Sequence, residues 1–248
     1  MPELKDKLIV ALDVDSLERA EKIVSILGDK VKFYKIGSQL FTACGQEAIK
    51  MIVEKGGRVF LDLKFYDIPK TVYSAVASGT ASSIAIHAIP TGLDETGVKE
   101  QVKKATVYPV FMMTVHIQGG TEMLKQAVEG ATVKAKELNI KKPFIIGVTK
   151  LTSEESTAKD VLDAARIAKD AGLDGVVCSA LETKQIREAF GADFIIVNPG
   201  IRAKSAKADD QKRVATAKEA IEAGASFIVV GRPILEAKDP LKVIEELI

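Results

Sequence analysis

The segment FLDLKFYDIPKT, residues 60 to 71, sets Asp62, Lys64 and Asp67 within six positions, directly after residues apolar enough to be buried. A lysine held among carboxylates keeps its proton, because an opposite charge within a few ångströms favours the charged form. Such a group can act as a positioned general acid, and it puts positive potential where negative charge develops in a reaction. Taken alone, the pattern D-x-K-x-x-D is also that of a structural salt bridge. Its company favours chemistry: Asp13 closes the apolar run LIVALD and Lys35 sits in VKFYKIG, so further charges stand at the ends of neighbouring runs.

A second constellation lies near the C-terminus, where NPGIRAK and VVGRPI bring Arg202, Gly231 and Arg232 into two loops. A glycine lets the backbone approach an anion, and a helix starting near Pro233 offers free N–H groups. Arginine adds a fixed charge with a planar fork of donors, so the two loops together read as a phosphate site. Gly-Arg-Pro by itself is an ordinary turn.

These residues need a scaffold that gathers strand ends. Three segments, EKGGRVFLD, DAGLDGVVCS and EAGASFIVVG, repeat one junction, a helix closed by glycine and followed by a buried parallel strand. Counting such runs gives 8–13, 31–37, 58–64, 110–116, 144–149, 175–179, 194–199 and 227–231. Eight parallel strands separated by helices fit a closed (β/α)8 TIM barrel of the α/β class. A doubly wound sheet would show a Gly-rich turn after its first strand, and LDVDSLERA has no glycine there. Residues 80–107 exceed the repeat and read as an insertion in the helical layer, with a strand-like run at 83–89 and a helix-like run at 95–105. The alternative is that 83–89 is the fourth barrel strand.

In such a barrel the active site gathers at the C-terminal strand ends. The polar residues there are Asp13, Lys35, Asp62, Lys64, His116, Thr149, Thr152, Ser179 and Asn198. Side chains two apart on a strand share a face, so Asp62 and Lys64 are both expected in the barrel mouth, with Asp67 beyond them in the loop. His87 falls in the insertion, and His116, before two glycines, reads as a hydrogen-bonded barrel residue rather than a catalyst. Neither the histidines nor the widely separated Cys44 and Cys178 have metal-ligand or disulfide-framework spacing.

The 248 residues are expected to form a single domain spanning 1–248. A content of 47% hydrophobic and 28% charged residues with a formal charge of +1 advertises no nucleic-acid partner. The N-terminal MPELKDKLIVALDVDS is too charged for a signal peptide, and no apolar run reaches membrane-spanning length, so a cytoplasmic location is expected.

The chain resembles orotidine 5′-phosphate decarboxylases of the bacterial type. LIVALDVDS, FYKIG, FLDLKFYDIPKT, HIQGG, VTKLTS, GLDGVVCS, PGIR, DDQKRV and VVGRPI carry the resemblance, in family order over nearly the whole chain. It implies a barrel that converts orotidine 5′-monophosphate (OMP) to uridine 5′-monophosphate and CO2, the last step of de novo pyrimidine synthesis, without cofactor or metal. By position, Asp62, Lys64, Asp67 and Lys35 match the family's charged network, with Lys64 as proton donor to C6. Asp13 and Lys35 match contacts to ribose hydroxyls, Thr152 matches the residue facing the pyrimidine and Pro199 the one beside the base. Gln211, Arg202 and Arg232 match the phosphate grip, beside the Gly231 already singled out. The resemblance further implies a homodimer in which Asp67, Ile68 and Thr71 reach into the neighbour's pocket. The chain departs from the family in having Tyr66 where His is usual, Lys70 where Asn is usual, and the insertion.

Two rival readings remain. A sugar-phosphate decarboxylase or aldolase-like enzyme of the same suprafamily also shows D-x-K-x-x-D but binds Mg²⁺ through a Glu placed about where Lys35 stands, and a cation there disfavours the metal. A non-catalytic nucleotide-binding barrel is disfavoured by the intact charged set.

Overall fold

Runs of β-branched and aromatic residues that are buried on both faces pair as parallel strands, which is how most of the barrel forms. The computed structural model describes residues 6–83, 107–149, 157–201 and 215–247. Its strands are β1 (Leu8–Ala11), β2 (Phe33–Gly37), β3 (Arg58–Phe65), β4 (Ala81–Ser83), β5 (Val107–Pro109), β6 (Met112–His116), β7 (Phe144–Val148), β8 (Gly175–Val177), β9 (Ile195–Asn198) and β10 (Phe227–Val230). Eight of them close into a parallel barrel in the order β1-β10-β9-β8-β7-β6-β3-β2. All eight expected runs are therefore barrel strands. The three repeated helix-to-strand junctions each turn on a glycine with positive φ, at Gly56 (80°), Gly172 (87°) and Gly224 (103°).

β4 and β5 stand outside the barrel as an antiparallel pair, with Ala81 opposite Pro109 and Ser83 opposite Val107. This pair frames the insertion, and Tyr108 ties it to the helical layer by donating to Glu54 Oε1 at 2.8 Å. The fourth barrel strand is β6, so 83–89 does not fill that role. The helix-like run at 95–105 and His87 lie outside the described residues.

Alternation along the strands divides the core in two. Leu8, Val10, Tyr34, Ile36, Leu61, Met113 and Val115 point outward and bury against the helices. Ile9, Ala11, Phe33, Phe60, Met112, Ile146, Val197 and Val229 fill the barrel interior. At the N-terminal ends of the strands this interior is closed by the rings of Phe33, Phe111, Phe144 and Phe227, with the Arg58 guanidinium 4.0 Å from the Phe111 ring centre. A cleft of about 300 Å³ opens at this end between Arg58, Phe111, Lys141 and Phe144. The inward rows change character as they rise. Phe33 leads to Lys35, Phe60 to Asp62, and Met112 to Thr114 and His116, so the base of the barrel is apolar and its mouth is charged. Among the described residues, no helix is long and apolar enough to cross a membrane.

Candidate active site

Three strands deliver the charges at the mouth. Lys35 on β2 places Nζ 2.9 Å from Asp13 Oδ1, in the loop after β1, and 3.6 Å from Asp62 Oδ2 on β3. Lys64 Nζ donates to the same Asp62 oxygen at 2.9 Å. The result is an alternating chain of charge, Asp13–Lys35–Asp62–Lys64, graded from an exposed carboxylate to a buried one. The side chains of Lys35 and Asp62 are each 12% exposed, whereas those of Lys64 and Asp13 are 35% and 48% exposed. Room for the Lys35 ammonium comes from Gly37 on the same face, since a Cβ there would lie 2.9 Å from Lys35 Nζ and 3.2 Å from Asp13 Oδ1.

Plain strand alternation does not account for Lys64. The β3–β6 ladder pairs Phe60 with Met112 and Leu61 with Met113, then resumes only at Phe65 with Val115. Asp62, Leu63 and Lys64 thus stand opposite the single residue Thr114, in a bulge of the kind that re-aims side chains beside active sites. Lys64 takes φ of +52°, the left-handed region, which costs a non-glycine residue about 1 kcal/mol or more and persists where its surroundings enforce it. Its backbone N–H, left without a strand partner, donates to Thr114 Oγ1 at 2.9 Å, and the Thr114 hydroxyl donates to Asp62 Oδ1 at 2.9 Å. Burial alone would raise the Asp62 carboxyl. The ammoniums of Lys35 and Lys64, with the hydrogen bonds from Lys64 and Thr114, outweigh that effect and hold it below the usual carboxylate value.

The loop after Lys64 turns outward. Tyr66, Asp67, Ile68, Lys70 and Thr71 are all exposed, Ile68 to 67% and Tyr66 to 60%. Asp67 accepts from the Ile68 N–H at 2.6 Å and stands apart from the other charges. Tyr66 rests against His116, with ring centres 5.7 Å apart, so this departure from the usual His is accommodated by a ring contact on the HIQGG turn.

Several strand-end polar residues serve the scaffold instead. Thr149 donates to the Val177 carbonyl, and Ser179 caps the helix Ala180–Phe190. Asn198 is fully buried, donating to the Cys178 carbonyl and accepting from Thr183. Burial pushes the Cys178 thiol up to about 12, leaving it an inert core residue.

Across the mouth, Gly231 ends β10 against the first strand, where a Cβ would lie 3.4 Å from that of Ala11 and 3.6 Å from Asp13 Oδ2. A short helix, Arg232–Leu235, starts there with Pro233 in its first turn, as expected. Pro199 follows β9 and is half-buried. Thr152, Arg202 and Gln211 lie outside the described residues. No cluster of three or more His, Cys, Asp or Glu capable of holding a metal occurs among the described residues.

Comparison with known proteins adds a second line of support. Residues 6–96 and 95–247 match the family described as "Orotidine 5′-phosphate decarboxylase / HUMPS family". The chain belongs to this family. An orotidine 5′-phosphate decarboxylase of Moorella thermoacetica is 41% identical over 96% of this chain and 88% of its own length. The one from Geobacter metallireducens is 42% identical over 96% and 92%. The crystal structure of orotidine 5′-phosphate decarboxylase from Lactobacillus acidophilus superposes with a TM-score of 0.74 at 36% identity, covering 98% of this chain and 97% of that one.

For this member of the orotidine 5′-phosphate decarboxylase / HUMPS family, sequence reasoning picked out Asp13, Lys35, Asp62 and Lys64, which the fold brings together. It missed Thr114 and Gly37. Thr114 is the lone hydroxyl in VFMMTV and shares inward parity with Met112 and His116, while Gly37 lies two residues beyond Lys35. Each carried a signal once the inward rows were assigned.

Proposed function

We propose that the chain decarboxylates OMP to uridine 5′-monophosphate and CO2 in the cytoplasm, as the last step of de novo pyrimidine synthesis. The observation that carries this reading is the Lys64 ammonium held at the barrel mouth, 2.9 Å from Asp62, by a strained bulge. Breaking the C6–carboxylate bond leaves the electron pair on C6, where no neighbouring group delocalises it. Stabilising it takes a fixed cation at that carbon and a proton at once. Lys64 supplies both: its ammonium gives the proton to C6, and the neutral amine then regains one from solvent.

Asp62, kept ionised by Lys35 and Lys64, orients the donor and sits where the carboxylate departs. Asp13 and Lys35 take the ribose hydroxyls, Thr152 and Pro199 the base, and Arg202, Gln211, Gly231 and Arg232 the phosphate. Binding energy from the phosphate, remote from C6, can order the reacting centre. Asp67 and Ile68, on an exposed loop, and Thr71, in the first turn of the helix that follows, complete the site of the neighbouring subunit in a homodimer. No metal is required, because Lys35 and Lys64 together already neutralise Asp13 and Asp62, the two carboxylates that could have received one.

The test is the fall in OMP absorbance on adding purified protein. Lys64→Ala is expected to abolish turnover while nucleotide binding stays measurable, and a near-normal rate in that variant would refute the assigned role. Wild-type turnover that a chelator abolishes would instead favour the Mg²⁺-dependent relative.

A further inference from the structure

We infer that Thr114 is a positioning residue for this reaction: its one hydroxyl fixes both the left-handed backbone that presents Lys64 and the carboxylate to which Lys64 is tethered. The inference rests on Lys64 being the proton donor. Three residues of β3 bulge against one of β6, so the ladder has no carbonyl for the Lys64 N–H. Thr114 Oγ1 accepts that N–H at 2.9 Å and spends its only proton on Asp62 Oδ1, also at 2.9 Å. Asp62 Oδ2 is thereby left to the two lysines, at 2.9 and 3.6 Å. Thr114 is fully buried, so water does not stand in for the hydroxyl.

A structural reading of Thr114 as filler makes different demands. Packing needs its volume and methyl group, whereas positioning needs an oxygen that accepts and donates at once. Valine keeps the volume and loses the oxygen; serine does the reverse. Asp62 faces Lys35 from β2, Lys64 from its own strand and, through Lys35, Asp13 beyond β1, while His116 ends the inward row on β6. Removing the Thr114 hydrogen bond deletes one of the interactions that favour ionised Asp62, so its titration moves to higher pH.

Steady-state kinetics of Thr114→Val and Thr114→Ser, run with Lys64→Ala and with melting curves of all three, test this. Thr114→Val is expected to lower kcat about 10- to 100-fold, the rate equivalent of one hydrogen bond to a charged group, with KM for OMP nearly unchanged. The acid limb of its kcat profile should move to higher pH, and Thr114→Ser should restore most of the rate. Near-wild-type kcat with an unmoved acid limb in Thr114→Val, or equal losses in the two variants, would overturn the inference. If Lys64→Ala kept a near-normal rate, the donor assignment itself would fall and the inference with it. An inactive Lys64→Ala beside a normal Thr114→Val would overturn the positioning role alone.

Discussion

Asp62 is a buried carboxylate whose fate is decided by its neighbours. Desolvation works against its charge, and two ammoniums with two hydrogen bonds reverse the balance. Because its pKa is lower in the folded protein than in the unfolded chain, ionised Asp62 contributes stability that is complete above the unfolded carboxyl pKa of about 3.9 and disappears as pH falls through the folded value. Denaturant titrations of wild type and Asp62→Asn should therefore converge as pH is lowered below about 4, since the ionised pair is lost only from the wild type. A stability difference that stays constant between pH 7 and pH 3 would show that Asp62 gains nothing from its two lysines. The same residue explains what was legible. Asp62, Lys64 and Lys35 announce themselves because charge at the end of an apolar run has to be explained. Thr114 does not, because a threonine in a strand is commonplace and its importance comes from a bulge set by pairing with a distant segment.

At the scale of elements, the loop bearing Asp67 and Ile68 is held from behind. It leads into the helix Pro69–Gly79, which packs against the helix Gly120–Glu137. They meet tightly at Gly130, where a Cβ would lie 2.4 Å from the backbone oxygen of Tyr73. A carbonyl cannot rotate out of the way as a side chain can, so Gly130→Ala must push the two helices apart. Overpacking of this kind costs about 1–3 kcal/mol. For a chain of this length that lowers Tm by about 2–4 °C per kcal/mol, which calorimetry would register, and an unchanged Tm would contradict the close contact. Lower kcat is expected as well, since the displaced helix carries Thr71 and the exposed loop. The helix-closing glycines and the eight apolar runs were readable because they are local patterns. The β4–β5 pair was not: each strand has three residues, too few for a period, and their partnership spans the insertion.

For the molecule as a whole, the barrel is asymmetric along its axis, with aromatic rings closing one end and charges opening the other. Within one chain the charged end brings together Asp13, Lys35, Asp62 and Lys64, while Asp67 is exposed on a loop whose Tyr66 and Ile68 expose large apolar surface. Exposed apolar side chains beside a charged residue are what a subunit contact would cover. If that contact is a two-fold dimer, each site takes Lys64 from one chain and Asp67 from the other. This division of labour gives a sharp expectation. Homodimers of Lys64→Ala and of Asp67→Ala should each be inactive, because every site lacks one residue. Mixed under conditions that exchange subunits, they form hybrids in which one site carries both defects and the other carries neither. With random pairing, half the dimers are hybrids and half of their sites are intact, so specific activity should recover to about one quarter of wild type. Failure to recover, with exchange verified by mass spectrometry of the mixture, would place Asp67 in the same chain's site as Lys64, and an active Asp67→Ala homodimer would remove it from the reaction. Recovery would also explain why the loop leaves its own barrel: the charges on FLDLKFYDIPKT divide between two sites, and the bulge at Lys64 is where the chain turns from one to the other.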